Sequence, residues 1–292
     1  MICYDEPLFR PPSEAYSLIL QITLGCSWNK CTFCDMYTTK KFRPRPFKDI
    51  EREINHVADS YPGIEKIFLA DGDALVLSNS RLIPILNRIN EKFKGLKQIT
   101  SYATPQNILN KPLSDLKELK SAGLKMIYYG VESGDPVILK KIQKGATHDE
   151  IKQGIIKARE AGIKVSTTNL LGIAGLKYSN EHAINTAKLL SDANPEYISY
   201  LMVMFPLGDG RFISAFGDDY APIDQRGLLC ELKTTLEHLE VKNSIIRANH
   251  ASNYLPIKAV FPQDKYKTIN FITEVINAPT SPLIRPEYLR GL

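Results

Sequence analysis

The amino-acid sequence predicts an α/β fold built on a parallel sheet. From Ser17 to about Phe205, short β-branched or aromatic runs alternate with longer charged segments of helical period. Most of the runs are apolar throughout, as in strands covered on both faces. Residues with special chemistry follow the runs: Gly25 and three cysteines after the first, Asp71-Gly72-Asp73 after the second, Glu132-Ser133 after the fourth, and Gly172 to Gly175 after the fifth. In a parallel sheet with right-handed crossovers these positions share one rim, at the strands' C-terminal ends.

The elements follow in order. SLILQITL (17–24) is the first strand and PFKDIEREINHVADSY (46–61) the helix after it. KIFLAD (66–71) and QITSYAT (98–104) are the next strands, separated by the helix SRLIPILNRINEKF. SDLKELKSAG (114–123) is a helix for which Ser114 is the expected N-cap and Gly123 the stop. KMIYYGVE (125–132) is the fourth strand. The helix THDEIKQGIIKAREAG then opens on a capping box, Thr147 with Glu150 three residues on, and stops at Gly162. KVSTTNLLG (164–172), the helix NEHAINTAKLLSDA and YISYLMVMF (197–205) complete six strands. Periodicity leaves open whether the sheet is flat or curled.

After Phe205 the rhythm changes. Residues 206–222 are rich in Gly, Pro and Asp; helices are expected near 223–240 and 264–277, and the Pro-broken tail APTSPLIRPEYLRGL is expected to be irregular. The expected organisation is a lead-in over 1–16, the repeating unit over 17–205, and a C-terminal α/β extension over 206–292.

Apolar residues are 43% and charged residues 24% of the chain, so a real core can be buried. The net charge of +5 suits an anionic ligand without marking a nucleic-acid binder. No apolar stretch reaches the roughly 20 residues of a membrane helix, and MICYDEPLFRPP lacks the layout of a signal peptide. A cytoplasmic location is expected, and no membrane partner.

GCSWNKCTFC (25–34) holds three of the chain's five cysteines, spaced C-x4-C-x2-C. Clustered thiols in a reducing compartment suggest metal binding rather than a disulfide framework. Three readings compete. A structural zinc would need Cys3, Cys230 or a histidine as a fourth ligand, and only one C-x2-C hook exists. Three buried apolar cysteines would sit poorly among Gly25, Ser27, Asn29 and Lys30. A cubane iron–sulfur cluster held by Cys26, Cys31 and Cys34 would leave one iron open to a small molecule.

GCSWNKCTFCDMY after the first strand of such a chain resembles the radical S-adenosylmethionine (radical SAM) enzymes. The spacing differs from that family's usual C-x3-C-x2-C by one residue, which a loop can absorb. The resemblance implies a partial (β/α)6 barrel of parallel strands, over roughly 17–205. It implies a 4Fe–4S cluster on Cys26, Cys31 and Cys34, with S-adenosylmethionine on the open iron. Reductive cleavage of that cofactor gives a 5′-deoxyadenosyl radical that takes hydrogen from substrate. By the same resemblance Phe33 lies against the adenine. LADGDAL (69–75) stands where the family has a Gly-Gly-Glu-like turn for the methionyl amine, so Gly72 and Asp73 are cofactor candidates. YYGVESGDPVILKKIQKG (128–145) looks like the branch with oxygen-independent coproporphyrinogen oxidases and tRNA methylthiotransferases. It places Glu132 and Ser133 near the ribose and methionyl end and Lys144 on the cofactor carboxylate, for which a cationic donor is apt; the alternative for Lys144 is a solvated helix-end lysine. NLLGIAG (169–175) matches the strand-5 glycine pattern, with Ile173 on the base and Asn169 at the ribose; an ordinary Gly-x-x-Gly turn is the alternative.

RANHASNYLP (247–256) carries Arg247, Asn249, His250 and Asn253, a dense set of polar side chains expected to cover the open end and meet substrate. Arg211 and Asp218-Asp219 are candidates for the same mouth, with a solvated loop the simpler expectation. Tyr128, Tyr129, Tyr200 and Tyr254 are candidate radical relays for which packing is the simpler role. Cys230, at helical spacing in LLCELKTTL, is expected to be buried. The expected function is that of a radical SAM enzyme acting on a small polar or anionic substrate, oxygen-sensitive, with an electron donor such as flavodoxin or ferredoxin. The alternatives are a non-catalytic iron–sulfur or zinc scaffold, and an RNA-modifying radical SAM enzyme favoured by a pI near 8.8 but lacking an RNA-binding appendage.

Overall fold

The computed structural model describes residues 2, 4–278 and 280–291, so Cys3 lies outside the described residues. The chain forms two compact units. One comprises the residues up to Asn29, Met36–Tyr129 and Lys157–Val165; the other comprises Lys30–Asp35, Gly130–Ile156 and the residues from Ser166 on.

In the first unit β1 (Leu18–Gln21) is followed by the two-residue strands β2 (Thr23–Leu24) and β3 (Arg43–Pro44), which pair antiparallel with each other. The apolar run 17–24 is thus two strands rather than one. At the break Gln21 is buried, and its amide donates to the Asp5 carbonyl and the Asp71 carboxylate. β4 (Lys66–Ala70), β5 (Gln98–Ala103) and β6 (Leu124–Glu132) then extend a parallel ladder in the order β1-β4-β5-β6. The helices α1 (Phe47–Ser60), α2 (Asn79–Lys92), α3 (Pro105–Leu109) and α4 (Leu113–Ser121) lie between the strands in sequence. Ser114 is not the N-cap of α4. Pro112 holds that position, with φ −53° and ψ 152° already set for helix entry, and Ser114 falls in the first turn. Ile19, Phe68, Ala70 and Tyr128 form one apolar cluster of this unit.

β6 runs on through Glu132 into the second unit, where α5 (Pro136–Lys141) starts on the Asp135 cap and α6 (His148–Glu160) on the expected Thr147–Glu150 box. β7 (Lys164–Leu171) and β8 (Tyr197–Met202) flank α7 (Gly175–Ala193). Beyond α8 (Gly210–Phe216) and α9 (Gln225–His238) the polar C-terminal stretch contains a hairpin, β9 (Ser244–Arg247) and β10 (Lys258–Phe261), before α10 (Lys265–Asn277). The order is β7-β8-β9-β10, parallel except for the last pair. The expected α/β fold with a mostly parallel sheet is therefore present. Among the described residues no helix is long and apolar enough to cross a membrane.

Candidate functional site

The cysteine loop leaves β2 through Gly25, whose φ of 73° favours glycine and whose N–H donates to Asp71 Oδ2 at 3.0 Å. Cys26, Cys31 and Cys34 are half-buried. In the second unit the loop's far end is fastened: the Thr32 N–H donates to the Ile142 carbonyl at 3.0 Å. Arg211, on α8, donates to the Cys31 carbonyl at 2.8 Å and to the Cys34 carbonyl, and pairs with Asp35 at 3.2 Å. The sequence suggests a solvated loop for Arg211; the guanidinium is instead the clasp on this segment. Among the described residues no three Cys, His, Asp or Glu side chains stand gathered for a metal. The three thiols share one loop, and a soft sulfur donor set on it fits an iron–sulfur cluster.

Beside that segment lies a buried ion pair. Lys144 Nζ stands 3.1 Å from Glu132 Oε1, with the two side chains 8% and 10% exposed. Burial by itself pulls the Lys144 pKa down. The Glu132 carboxylate and the Cys31 and Cys34 sulfurs push the other way and prevail, so it is raised. A solvated helix-end lysine is excluded by this burial. Glu132 has φ 64°, costly for a residue with a Cβ. Gly130 makes room, because a Cβ there would strike the Glu132 carboxylate and lie 2.8 Å from Lys144 Nζ.

Ser133 is next in the chain but does not present its hydroxyl to a ligand. It accepts from the Asp135 N–H at 3.0 Å and meets His182 Nδ1 at 2.8 Å. His182 Nε2 in turn faces the Leu170 carbonyl at 3.1 Å. The Leu170 carbonyl can only accept, so the His182 Nε2–H donates to it. Glu231 of α9, whose Oε1 lies 3.8 Å from His182 Nε2, accepts from the Gly172 N–H at 2.7 Å and from Ser179. His182 and Glu231, which hold Ser133 and the Gly172 turn, are residues the sequence left unmarked.

Ile173 is fully buried in a cluster with Ile138, Ile142, Leu170, Phe212 and Phe216, and Phe33 packs against the same cluster. The two residues expected at the adenine thus come together. Asn169 does not join them. Strand alternation sets it on the face opposite Leu170, where its Nδ2 donates to Thr167 and to the Ser199 carbonyl. Its Oδ1 is buried without a partner among the described residues.

In the first unit Gly72 packs against the Tyr37 ring, into which a Cβ would project. Asp73 is fully buried and accepts from Ser27. Burial pushes its carboxyl pKa up, against the smaller opposing pull of its hydrogen bonds. The folded state therefore binds a proton more readily than the unfolded chain, and ionised Asp73 opposes folding at neutral pH. Asp73→Asn is expected to raise the chemical-denaturation midpoint at pH 7, and the gain should vanish below the unfolded carboxyl pKa. An unchanged or lower midpoint at pH 7 would show the charge to be compensated.

The loop after β9 sits on the C-terminal end of β8. The Met202 N–H donates to Ser252 at 3.2 Å and Asn253 Nδ2 to the Tyr200 carbonyl at 2.7 Å. Asn249 is exposed, while His250 is half-buried against Ser252, its pKa lowered by burial and by Arg285. Arg285, in the tail expected to be irregular, donates to the carbonyls of His250, Ala251 and Asn253 at 3.0, 2.8 and 2.7 Å. Arg247 is half-buried, its guanidinium carbon 5.9 Å from the Tyr197 ring centroid. Asp219 pairs with Lys177 and Tyr178, and Asp218 is exposed. Tyr129 and Tyr200 are core residues, Tyr128 bonds Glu14, and Tyr254 bonds Glu287 and Arg290. Cys230 is exposed rather than buried, since it lies outside the stripe Leu228, Leu229 and Leu232 that α9 buries.

Three comparisons bear on this geometry. The chain is 28% identical over 184 residues to the heme chaperone HemW of Bacillus subtilis, covering 60% of this chain and 48% of that one. It is 28% identical over 174 residues to the tRNA-2-methylthio-N(6)-dimethylallyladenosine synthase of Thermodesulfovibrio yellowstonii, covering 58% and 40%. It thus spans about half the length of the curated relatives it matches. Among solved structures, coproporphyrinogen III oxidase of Escherichia coli, a radical SAM enzyme, superposes with a TM-score of 0.61 at 18% identity over 76% of this chain and 51% of that one, a likeness of fold. These relatives support the branch suggested by YYGVESGDPVILKKIQKG. Radical SAM proteins use a 4Fe–4S cluster and S-adenosylmethionine. The model of the Radical SAM superfamily matches residues 20–190, more than half of the sequence and the span that carries the cysteine loop, Glu132 and Lys144, so the chain belongs to the radical SAM superfamily.

Proposed function

We propose that this chain is a radical SAM enzyme in which Cys26, Cys31 and Cys34 hold the cluster. The observation that carries this reading is the buried Lys144–Glu132 pair set against Cys31 and Cys34. A cation kept charged in a desolvated place beside two thiols suits a bound carboxylate and an electron-accepting centre. When bound, the cluster and S-adenosylmethionine supply reductive cleavage to a 5′-deoxyadenosyl radical. The chain's own residues would do the holding. Lys144 would receive the cofactor carboxylate, and Glu132 would orient Lys144. Phe33 and Ile173 would give the adenine an apolar contact, with the Gly172 turn letting backbone approach. Gly72 and Asp73 would meet the methionyl amine through backbone or carboxylate. Arg211 would keep the Cys31–Cys34 segment in place. Residues 206–292 would act as the substrate cap, and a protein such as flavodoxin or ferredoxin would deliver the electron.

Anaerobic reconstitution followed by dithionite and S-adenosylmethionine tests this. The expected result is about four irons per chain, as a single cubane on three thiolates requires, and 5′-deoxyadenosine as product. Stoichiometric zinc without cleavage would sink it. A second reading, favoured by the likeness to a heme chaperone, is heme binding; saturable hemin binding without S-adenosylmethionine cleavage would select it.

A further inference from the structure

A single rung of the second unit's sheet gathers two cations that have no counterion among the described residues. Thr168 on β7 stands opposite Ser199 on β8, Ser199 opposite Arg247 on β9, and Arg247 opposite Lys258 on β10. Residues directly opposite on paired strands project from the same face. The four side chains thus form a row of two hydroxyls, a guanidinium and an ammonium. Thr168, Ser199 and Arg247 are half-buried and Lys258 is exposed, so the row runs from the interior to an open side. It shares its face with Leu170 and Leu201, two residues along each strand, which belong to the apolar cluster of Phe33 and Ile173.

Neither cation has an acidic partner among the described residues, and Arg247 Nε is buried with no acceptor at all. Like charges directly opposite on paired strands repel, and a desolvated guanidinium N–H without an acceptor is costly. An apolar or hydroxyl pair would serve a purely structural role better. The Tyr197 ring, 5.9 Å from the guanidinium carbon, accounts for one face of Arg247 and leaves its in-plane donors unused. An oxyanion between Arg247 and Lys258 removes the repulsion and engages the fork; Ser199, on the strand next to β9, is the nearest neutral donor, and Thr168 continues the polar row one strand further on.

We infer that the Arg247–Lys258 end of this row, with Ser199 beside it, binds an anionic group of the substrate, a carboxylate or a phosphate. The inference rests on the reading of residues 206–292 as the substrate-selecting part. It makes Arg247 and Lys258 the specificity determinants, with Asn249 and His250 at its edge.

The 292-residue chain is titrated with inorganic phosphate and pyrophosphate, and separately with succinate and citrate. Ionic strength is held constant so that screening does not change. Saturable heat and a concentration-dependent rise in unfolding temperature are expected for one of the two families, which identifies the group. Arg247→Gln should weaken that binding about tenfold or more, Lys258→Gln less because the ammonium is exposed, and Arg247→Lys by an intermediate factor. Lys267→Gln, an exposed lysine of α10, should change nothing. If Arg247→Gln does not fold, Arg247→Lys and Lys258→Gln carry the test. Absence of saturable binding by both families, or binding that Arg247→Gln/Lys258→Gln leaves unchanged, overturns the inference. Cofactor cleavage is assayed in parallel on reconstituted protein. Binding lost with cleavage intact counts against the row alone; binding intact with cleavage absent counts against the enzyme reading alone.

Discussion

Lys144→Met is expected to destabilise the chain by about 3–5 kcal/mol, the cost of leaving one member of a buried ion pair uncompensated. The substitution keeps the unbranched shape and most of the length of the side chain and removes its charge. Glu132 then stays 10% exposed with no cation at 3.1 Å, held by a backbone at φ 64° that gives its carboxylate little freedom to turn outward. The Cys31 and Cys34 sulfurs lose the same cation. Glu132→Gln alone should also be costly, because it strands Lys144. The double variant Glu132→Gln/Lys144→Met should recover much of the loss, since replacing both members of a buried pair is often close to neutral. Denaturant unfolding of the four proteins gives the coupling directly. A single-variant loss below about 1 kcal/mol, the range of solvated surface pairs, would return Lys144 to the role of an ordinary helix-end lysine. On reconstituted protein the same substitution should weaken S-adenosylmethionine binding about tenfold or more, as expected for one charge-assisted bond.

The elements that position this pair were legible because they depend on local pattern. The five strands from KIFLAD to YISYLMVMF lie where apolar period and turn residues put them, as do the long helices between them, although α7 begins at Gly175, before the expected NEHAINTAKLLSDA; SLILQITL starts as expected but breaks after Gln21. Gly123 and Gly162 do end helices with positive φ, 108° and 80°. What was not legible rests on partners far apart in the chain. Arg211 reads as one more polar residue in a Gly- and Asp-rich stretch, and only the folded chain brings it to carbonyls about 180 positions away. Ser133 looks like a free hydroxyl until His182, 49 positions on, takes it up. Asn169 fails for a different reason: the period-2 rule fixes its face once Leu170 is known to be in the Phe33 cluster, but sequence does not say which face that cluster occupies. The hairpin of β9 and β10 was missed because its strands are only four residues each and flank a polar loop. That omission hid the row on which Arg247 and Lys258 meet.

Glu231→Leu should cost about 3 kcal/mol or more, because it leaves two donors without an acceptor at about 1–3 kcal/mol each. Both donors are local to the β7–α7 turn: the Gly172 N–H at 2.7 Å and the Ser179 hydroxyl. The Gly172 N–H is buried and has no water to take the place of the carboxylate, whereas the Ser179 hydroxyl is half-buried and recovers part of its loss. Gly172 cannot simply readjust. Its φ is 80°, and the space a Cβ would fill is closed by Leu228, 2.8 Å away on the same helix as Glu231. Helix α9 therefore fixes the turn twice, by a hydrogen bond and by contact. Glu231→Gln keeps an acceptor and should lose less than half as much, whereas Ser179→Ala removes one donor and should stay near 1 kcal/mol. The functional consequence separates positioning from general instability. Ile173 follows Gly172 directly, so a displaced turn moves the apolar face proposed for adenine and leaves the row at Arg247 and Lys258 in place. On folded, reconstituted Glu231→Leu protein, S-adenosylmethionine binding should weaken while anion binding holds. Equal loss of both would mean that Glu231 supports the second unit as a whole and has no particular bearing on the cofactor turn.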